Sequence, residues 1–208
     1  MRVLLISPHT DDVELGAGGL VCRLLDEGKH DFRWLVFARC EDSLGADMPP
    51  DTLEREFNAS ADFLGIRDRD VLGLPVRTMP AHRQEILEAL VHARRDFNPE
   101  LVVAPSLDDV HQDHATVAQE ALRAFKSSAT LLGYEQPSNN VTFNSRVLVR
   151  LTKDHVWRKW QAMEHYRSQQ ELGRQCFSWS FVLSWATMRG AQCGAPYAEA
   201  FDMPRGVV

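Results

Sequence analysis

The chain has 208 residues, 44% hydrophobic and 25% charged, the composition of an ordinary globular protein with enough length for one sizeable core. Its formal net charge of -6 argues against a role in neutralising nucleic-acid phosphates or docking on anionic lipid, because either task needs clustered Lys and Arg. Small-molecule chemistry fits the balance better.

The first apolar run, Val3-Leu4-Leu5-Ile6, stops at Ser7, Pro8, His9 and a pair of aspartates. It is too short for a signal-peptide core or a membrane span and reads as a buried strand over 2–7. The polar cluster His9-Thr10-Asp11-Asp12 follows at once, leading into Gly16-Ala17-Gly18-Gly19 and a helix expected over 18–28. Two adjacent ionised aspartates repel each other and are costly to desolvate, and a divalent cation removes that cost. His9 and Asp12 are three apart, so a tight turn aims both at one ion, while Asp11 stays unbound and faces a water. The glycines are expected to let the backbone turn closely into the helix.

Further along, β-branched apolar runs at 31–38 and 101–105 alternate with helical patterns at 51–64 and 80–95. Leu53, Phe57, Ala61 and Leu64 share one face, with Asp51 or Thr52 as N-cap and Gly65 as the stop. This alternation predicts βαβ units around a largely parallel sheet within a single domain spanning 1–208. After the strand 101–105 stands a second cluster, Asp109-Val110-His111-Gln112-Asp113-His114, entering a helix over 115–125. His111 and His114 lie one turn apart, so one can ligate an ion while the other reaches the substrate, and Asp113 can hold the second histidine's far nitrogen. Both clusters fall at carboxyl ends of strands, where open α/β sheets bind ligands. Two His and one Asp with a fourth position open match a catalytic zinc site. Beyond residue 130, strands near 131–134 and 146–151 and a helix over about 153–170 complete the pattern.

The four cysteines, Cys22, Cys40, Cys176 and Cys193, form no C-x-x-C pair, which suits a reducing compartment and a cytoplasmic location. A phosphate-cradling reading of Gly16 to Gly19 fails, because the G-x-G-x-x-G spacing breaks at Val21 and two aspartates precede it.

At these residues the chain resembles the PIG-L, or LmbE-like, family of zinc-dependent N-deacetylases. Its motifs, roughly H-P-D-D-x-x-x-G-x-G-G and H-x-D-H, stand here as His9 to Gly19 and His111-Gln112-Asp113-His114. Lys159 to Gln169, and Arg189-Gly190 with Tyr197 to Phe201, resemble later family segments. The chain departs at Thr10 for proline, at Val13 for a frequent glutamate, and at Leu53, where many relatives carry an arginine before Glu56. The resemblance implies a Rossmann-like three-layer α/β sandwich, one Zn²⁺ on His9, Asp12 and His114, Asp11 as general base, and His111, steadied by Asp113, at the oxyanion. A two-nitrogen, one-oxygen donor set also admits Fe²⁺ or Co²⁺.

Asp109, Arg189, Tyr197 and Glu199 are candidate substrate contacts, and Arg77 and Arg83 could meet a polar substrate. Loops at 40–50, 75–80 and 134–145 are expected to shape the pocket. His30, His82, His92, His155 and His165 lack partners at ligand spacing, and the aromatics from Trp157 to Trp185 read as core or subunit interface more than as a sugar platform. The expected activity is release of acetate from an N-acylated amino sugar or conjugate, with no nucleic-acid or membrane partner and with homo-oligomers possible. A zinc amidase on a non-sugar metabolite and a non-catalytic metal- or sugar-binding module are the alternatives.

Overall fold

The structure, a computed structural model, describes residues 1–45 and 47–207; Ala46, in the 40–50 loop expected at the pocket, lies outside them. In chain order the elements are β1 (Arg2–Ser7), α1 (Asp12–Glu27), β2 (Asp31–Val36), α2 (Thr52–Leu64), β3 (Arg69–Val71), α3 (Arg83–Phe97) and β4 (Leu101–Pro105). There follow α4 (Gln112–Phe125), β5 (Thr130–Tyr134), β6 (Val147–Leu151), α5 (Lys153–Met163), α6 (Arg167–Glu171), α7 (Trp179–Ala191) and β7 (Tyr197–Arg205).

The strands form one sheet in the order β3-β2-β1-β4-β5-β7-β6. From β3 to β5 every pairing is parallel, and β7 runs antiparallel to both β5 and β6. Val3, Leu4, Leu5 and Ile6 of β1 are fully buried, as a central parallel strand covered on both faces requires. Helix α1 packs on α5 and α3 packs on α4, giving the expected largely parallel α/β sheet flanked by helices. Chain order reverses direction between β1 and β4, the position where open sheets leave a crevice beyond the strand ends.

Most local expectations carry through. Helix α2 spans the predicted stretch, with Asp51 at the N-cap position, where its side chain makes no capping hydrogen bond, and Gly65 ending it at φ 79°. The helix expected over 153–170 instead breaks into α5 and α6, with the buried Tyr166 at the break. His155 serves α5 as a capping box with Thr152, and His165 packs on the Phe63 ring. Trp157, Trp160 and Trp179 cluster on one another, whereas Tyr166 and Phe177 belong to the core.

The expected role of the glycines is corrected. Helix α1 begins at Asp12, so Gly16, Gly18 and Gly19 lie inside it, where all three serve close packing more than turning. A Cβ on Gly16 would meet Tyr134 Cδ2 at 2.4 Å, and one on Gly19 would meet Leu151 Cδ1 at 2.4 Å and the Glu199 carboxyl at 2.9 Å. Glu199 cannot easily retreat, because it accepts the Gly19 and Leu20 N–H groups at 2.8 and 2.6 Å and pairs with Lys159 Nζ at 2.7 Å. Gly19→Ala is therefore expected to destabilise by about 1–3 kcal/mol, the usual cost of overpacking a filled core. Chemical denaturation of the two proteins checks this, and an unchanged midpoint would show that the contact yields.

Candidate active site

The loops that leave β1 and β4, neighbours at the sheet reversal, bring both polar clusters together. After β1, the His9 backbone N–H donates to Asp12 Oδ2 at 2.7 Å, closing the turn that leads into α1. Its imidazole Nδ1 then lies 3.4 Å from the same oxygen. After β4, His111 caps α4 by accepting the Asp113 N–H on its Nδ1 at 3.2 Å, and His114 follows one turn on.

His9 Nδ1 and His114 Nε2 approach to 3.0 Å, and His114 Nε2 lies 3.3 Å from Asp12 Oδ1. The far nitrogen of each ring is taken by a carboxylate: His9 Nε2 by Asp113 Oδ2 at 3.0 Å, and His114 Nδ1 by Asp109 Oδ2 at 2.7 Å. With both far nitrogens donating, the atoms that converge are two imidazole lone pairs and a carboxylate, all acceptors. They repel unless a cation or protons lie between them. Donors on a tetrahedral ion with bonds of about 2.0–2.1 Å sit about 3.3–3.4 Å apart, close to the spacing here.

His111 adds a third imidazole, and one ligand atom from each of His9, His111 and His114 falls within 4.8 Å of the others. These residues fit a divalent cation. The capping hydrogen bond occupies the Nδ1 of His111, so its neutral tautomer carries the proton on Nε2, which suits a donor better than a ligand.

The electrostatics follow the same geometry. Burial works against a charged His114, yet Asp12 and Asp109 outweigh it and raise its pKa to about 10; His9 is raised too, against burial, by Asp12 and Asp113. A cation at these nitrogens therefore competes with protons for them. Burial opposes charge on Asp12 as well, but His114 and His9 hold its carboxyl well below the usual range. Burial and the Asp12 charge push Asp11 up, and burial with the neighbouring His114 and His9 holds His111 down.

Below Asp11, Glu14 is fully buried; its Oε1 accepts from Ser60 Oγ at 2.6 Å and Tyr166 Oη at 2.7 Å, while Oε2 has no partner among the described residues. Burial pushes this carboxyl up to about 8 from 4.5. A group raised in the folded state gives stability that is complete below the unfolded value and lost as pH rises through the folded one. The window here runs from about pH 4.5 to about 8. Glu14→Gln is expected to flatten the fall in melting temperature between pH 5 and 8.5, and an equally steep fall in the variant would remove Glu14 as its source.

Several sequence expectations are corrected. Asp113 holds His111 only through its backbone N–H and not through its carboxylate: its Oδ2 takes His9 and the Arg77 N–H at 2.6 Å, and its Oδ1 the Met79 N–H at 3.3 Å. Asp109 stands behind His114 and also accepts the His111 N–H at 2.8 Å, so it supports the histidines and does not line the cavity. Arg189 is buried against Glu135, Nε to Oε2 at 3.0 Å; Glu199 is bound by α1 and Lys159; Tyr197 starts β7. None of the three borders the cavity either. Arg83 pairs with Glu120 of α4 at 2.7 Å.

The cavity itself measures about 250 Å³ and has His9, Asp11, Asp12, His111 and His114 in its wall. The loops expected around it supply Ser43, Arg77 and Asn139, among others. Sequence reasoning missed Arg174, Cys176 and Phe177, which close one side from the segment after α6.

A family model for PIG-L, described as GlcNAc-PI de-N-acetylase, matches residues 4–125, which contain both clusters. The chain belongs to the PIG-L family. It is similar to an uncharacterised deacetylase, YaiS of Escherichia coli K12, at 27% identity over 80% of this chain and 90% of that protein. The PIG-L fold is shared with N,N'-diacetylchitobiose deacetylase from Pyrococcus horikoshii, with a TM-score of 0.80 and 21% identity over 97% of this chain and 83% of that one. GalB, the 4-carboxy-2-hydroxymuconate hydratase of Pseudomonas putida KT2440, shares it too, with a TM-score of 0.78 and 21% identity over 100% and 97% of the two chains. The scaffold thus hosts more than one reaction.

Proposed function

We propose that this PIG-L protein is a cytoplasmic zinc-dependent N-deacetylase that releases acetate from an acylated amino sugar or amino-sugar conjugate. The observation that carries the reading is the meeting of His9, Asp12 and His114, whose acceptor atoms lie 3.0 to 3.4 Å apart, with Asp11 in the wall of the same cavity. The cytoplasmic assignment rests on the four free cysteines, and no helix among the described residues is long and apolar enough to cross a membrane.

In this reading His9 Nδ1, an Asp12 oxygen and His114 Nε2 hold the ion, with Asp113 and Asp109 orienting the two rings. The bound ion supplies Lewis acidity and positive charge where the acyl carbonyl reacts. Asp11, its carboxyl raised by burial and by Asp12, accepts the proton of the attacking water. His111, its Nδ1 fixed by the cap, donates from Nε2 toward the oxyanion as water adds to the acyl carbon. The C–N bond then breaks, the amine takes up the proton held by Asp11, and acetate leaves. Shielding from bulk water comes from Phe177 and the loop behind α6.

A second reading keeps this chemistry with a non-sugar N-acyl amine, and the apolar Leu53 in the cavity wall favours it. An acetate-release assay across N-acetyl sugars, sugar conjugates and N-acetyl amines, with protein stripped by chelator and reloaded with Zn²⁺, tests both. Acetate released only after reloading supports the proposal. Full activity after chelation, or turnover of a carboxylated enoic acid without any acetate, overturns it.

A further inference from the structure

We propose that Arg77 and Arg174 form an anion-binding edge of the cavity, so that the substrate carries a carboxylate or phosphate beside its acylated amine. The inference deepens the deacetylase reading and rests on it for the reaction, though not for binding.

Arg77 stands in the left-handed region at φ 66°, which an L residue with a long side chain enters only under strain. Its backbone explains the position and not the residue type. The N–H donates to Asp113 Oδ2 at 2.6 Å and the carbonyl accepts Gln112 Nε2, contacts that glycine or asparagine would make with less strain. What arginine adds there is its guanidinium, which has no partner among the described residues although the residue borders the cavity.

Arg174 borders the same cavity from the opposite segment, after Gly173 at φ 73°, and its guanidinium also has no partner among the described residues. By contrast Arg83 and Arg189 are each committed to a glutamate.

The cavity wall includes Asp11, Asp12, Arg77 and Arg174, and the Asp113 and Asp109 carboxylates stand directly behind His9 and His114, committed to those rings. Ser43, Gln136, Ser138, Asn139 and Gln169 offer hydroxyls and amides that suit neutral sugar hydroxyls and cancel no charge. The planar guanidinium fork matches carboxylate and phosphate oxygens, the groups that an arginine without a protein partner at the cavity is suited to hold.

The test compares kcat/KM for N-acetylglucosamine with its 6-phosphate and with N-acetylmuramic acid, which carries a carboxylate, using the Zn²⁺-loaded protein. The expected result is a preference of about tenfold for one anionic member, reduced severalfold by Arg174→Ala and by Arg77→Gly and partly restored by Arg174→Lys. The phosphate and carboxylate arms distinguish the two sources of charge. Acetate release with equal rates on charged and neutral members, or a preference untouched by both variants, overturns this inference and leaves the deacetylase reading standing. If no sugar is turned over, calorimetric titration with glucosamine 6-phosphate decides: binding lost in Arg174→Ala upholds the anion site while the deacetylase reading fails, and equal binding overturns the site.

Discussion

Replacing Asp11 by asparagine is expected to leave the bound metal in place and to lower kcat by about 10²–10⁴, the usual contribution of a positioned general base. Asparagine keeps the size and the position at the head of α1 but cannot accept a proton. Asp11 can be spared from structural duty: it makes no side-chain cap to α1, and its carboxylate has no side-chain partner among the described residues. Burial and the Asp12 charge move it toward the pH at which a base both stays ionised and binds a proton well. Metal content measured beside single-turnover rates checks this. Loss of metal in Asp11→Asn would make it a ligand, and near-normal turnover would remove it from the chemistry.

Removing the His114 imidazole should have a different signature, with metal and turnover lost together. His114 Nε2 sits 3.0 Å from His9 Nδ1 and 3.3 Å from Asp12 Oδ1, so its deletion takes one of three converging donors. It also strands the buried Asp109 carboxylate, which keeps the His111 N–H but loses its charged partner, so His114→Ala should unfold more readily. Asp109→Asn separates the two effects. It preserves shape and should weaken metal affinity by about 10–100-fold, as loss of a supporting carboxylate does in related metal sites. Equilibrium dialysis against a competing chelator measures both variants, and wild-type affinity in His114→Ala would exclude it as a ligand.

The part of the site legible in the sequence was the part that is local. His9 with Asp12, and His111 with His114, lie within single turns after strands whose apolar runs are unmistakable, so their spacing forecast a shared centre. The partners of those residues were not legible. Asp113 pairs with His9 across 104 positions, and only the adjacency of β1 and β4 decides that it reaches His9 instead of His111. Asp109 reads as a substrate contact in the sequence because nothing local shows that the His114 ring turns back onto it.

The fold shows the same division. Strands β1 and β4 and helix α2 announce themselves by burial pattern and caps. Strand β7 does not, since Ala198, Glu199 and Ala200 are all buried and Pro204 interrupts any alternation. Its Glu199 is a charge inside the protein that only Lys159 and the N–H groups of α1 explain. Arg174 reaches the cavity because α5 and α6 fold back over α1 and α2, a placement no neighbouring residue encodes.

The central claim is that His9, Asp12 and His114 share one cation, and anomalous diffraction at the zinc edge from crystals grown with Zn²⁺ tests it most directly. A single peak about 2.0–2.2 Å from His9 Nδ1, an Asp12 oxygen and His114 Nε2, with Asp11 outside the coordination sphere, is the predicted result. A peak ligated by Asp11 or by His111 in place of Asp12, or no peak between intact side chains, would contradict it.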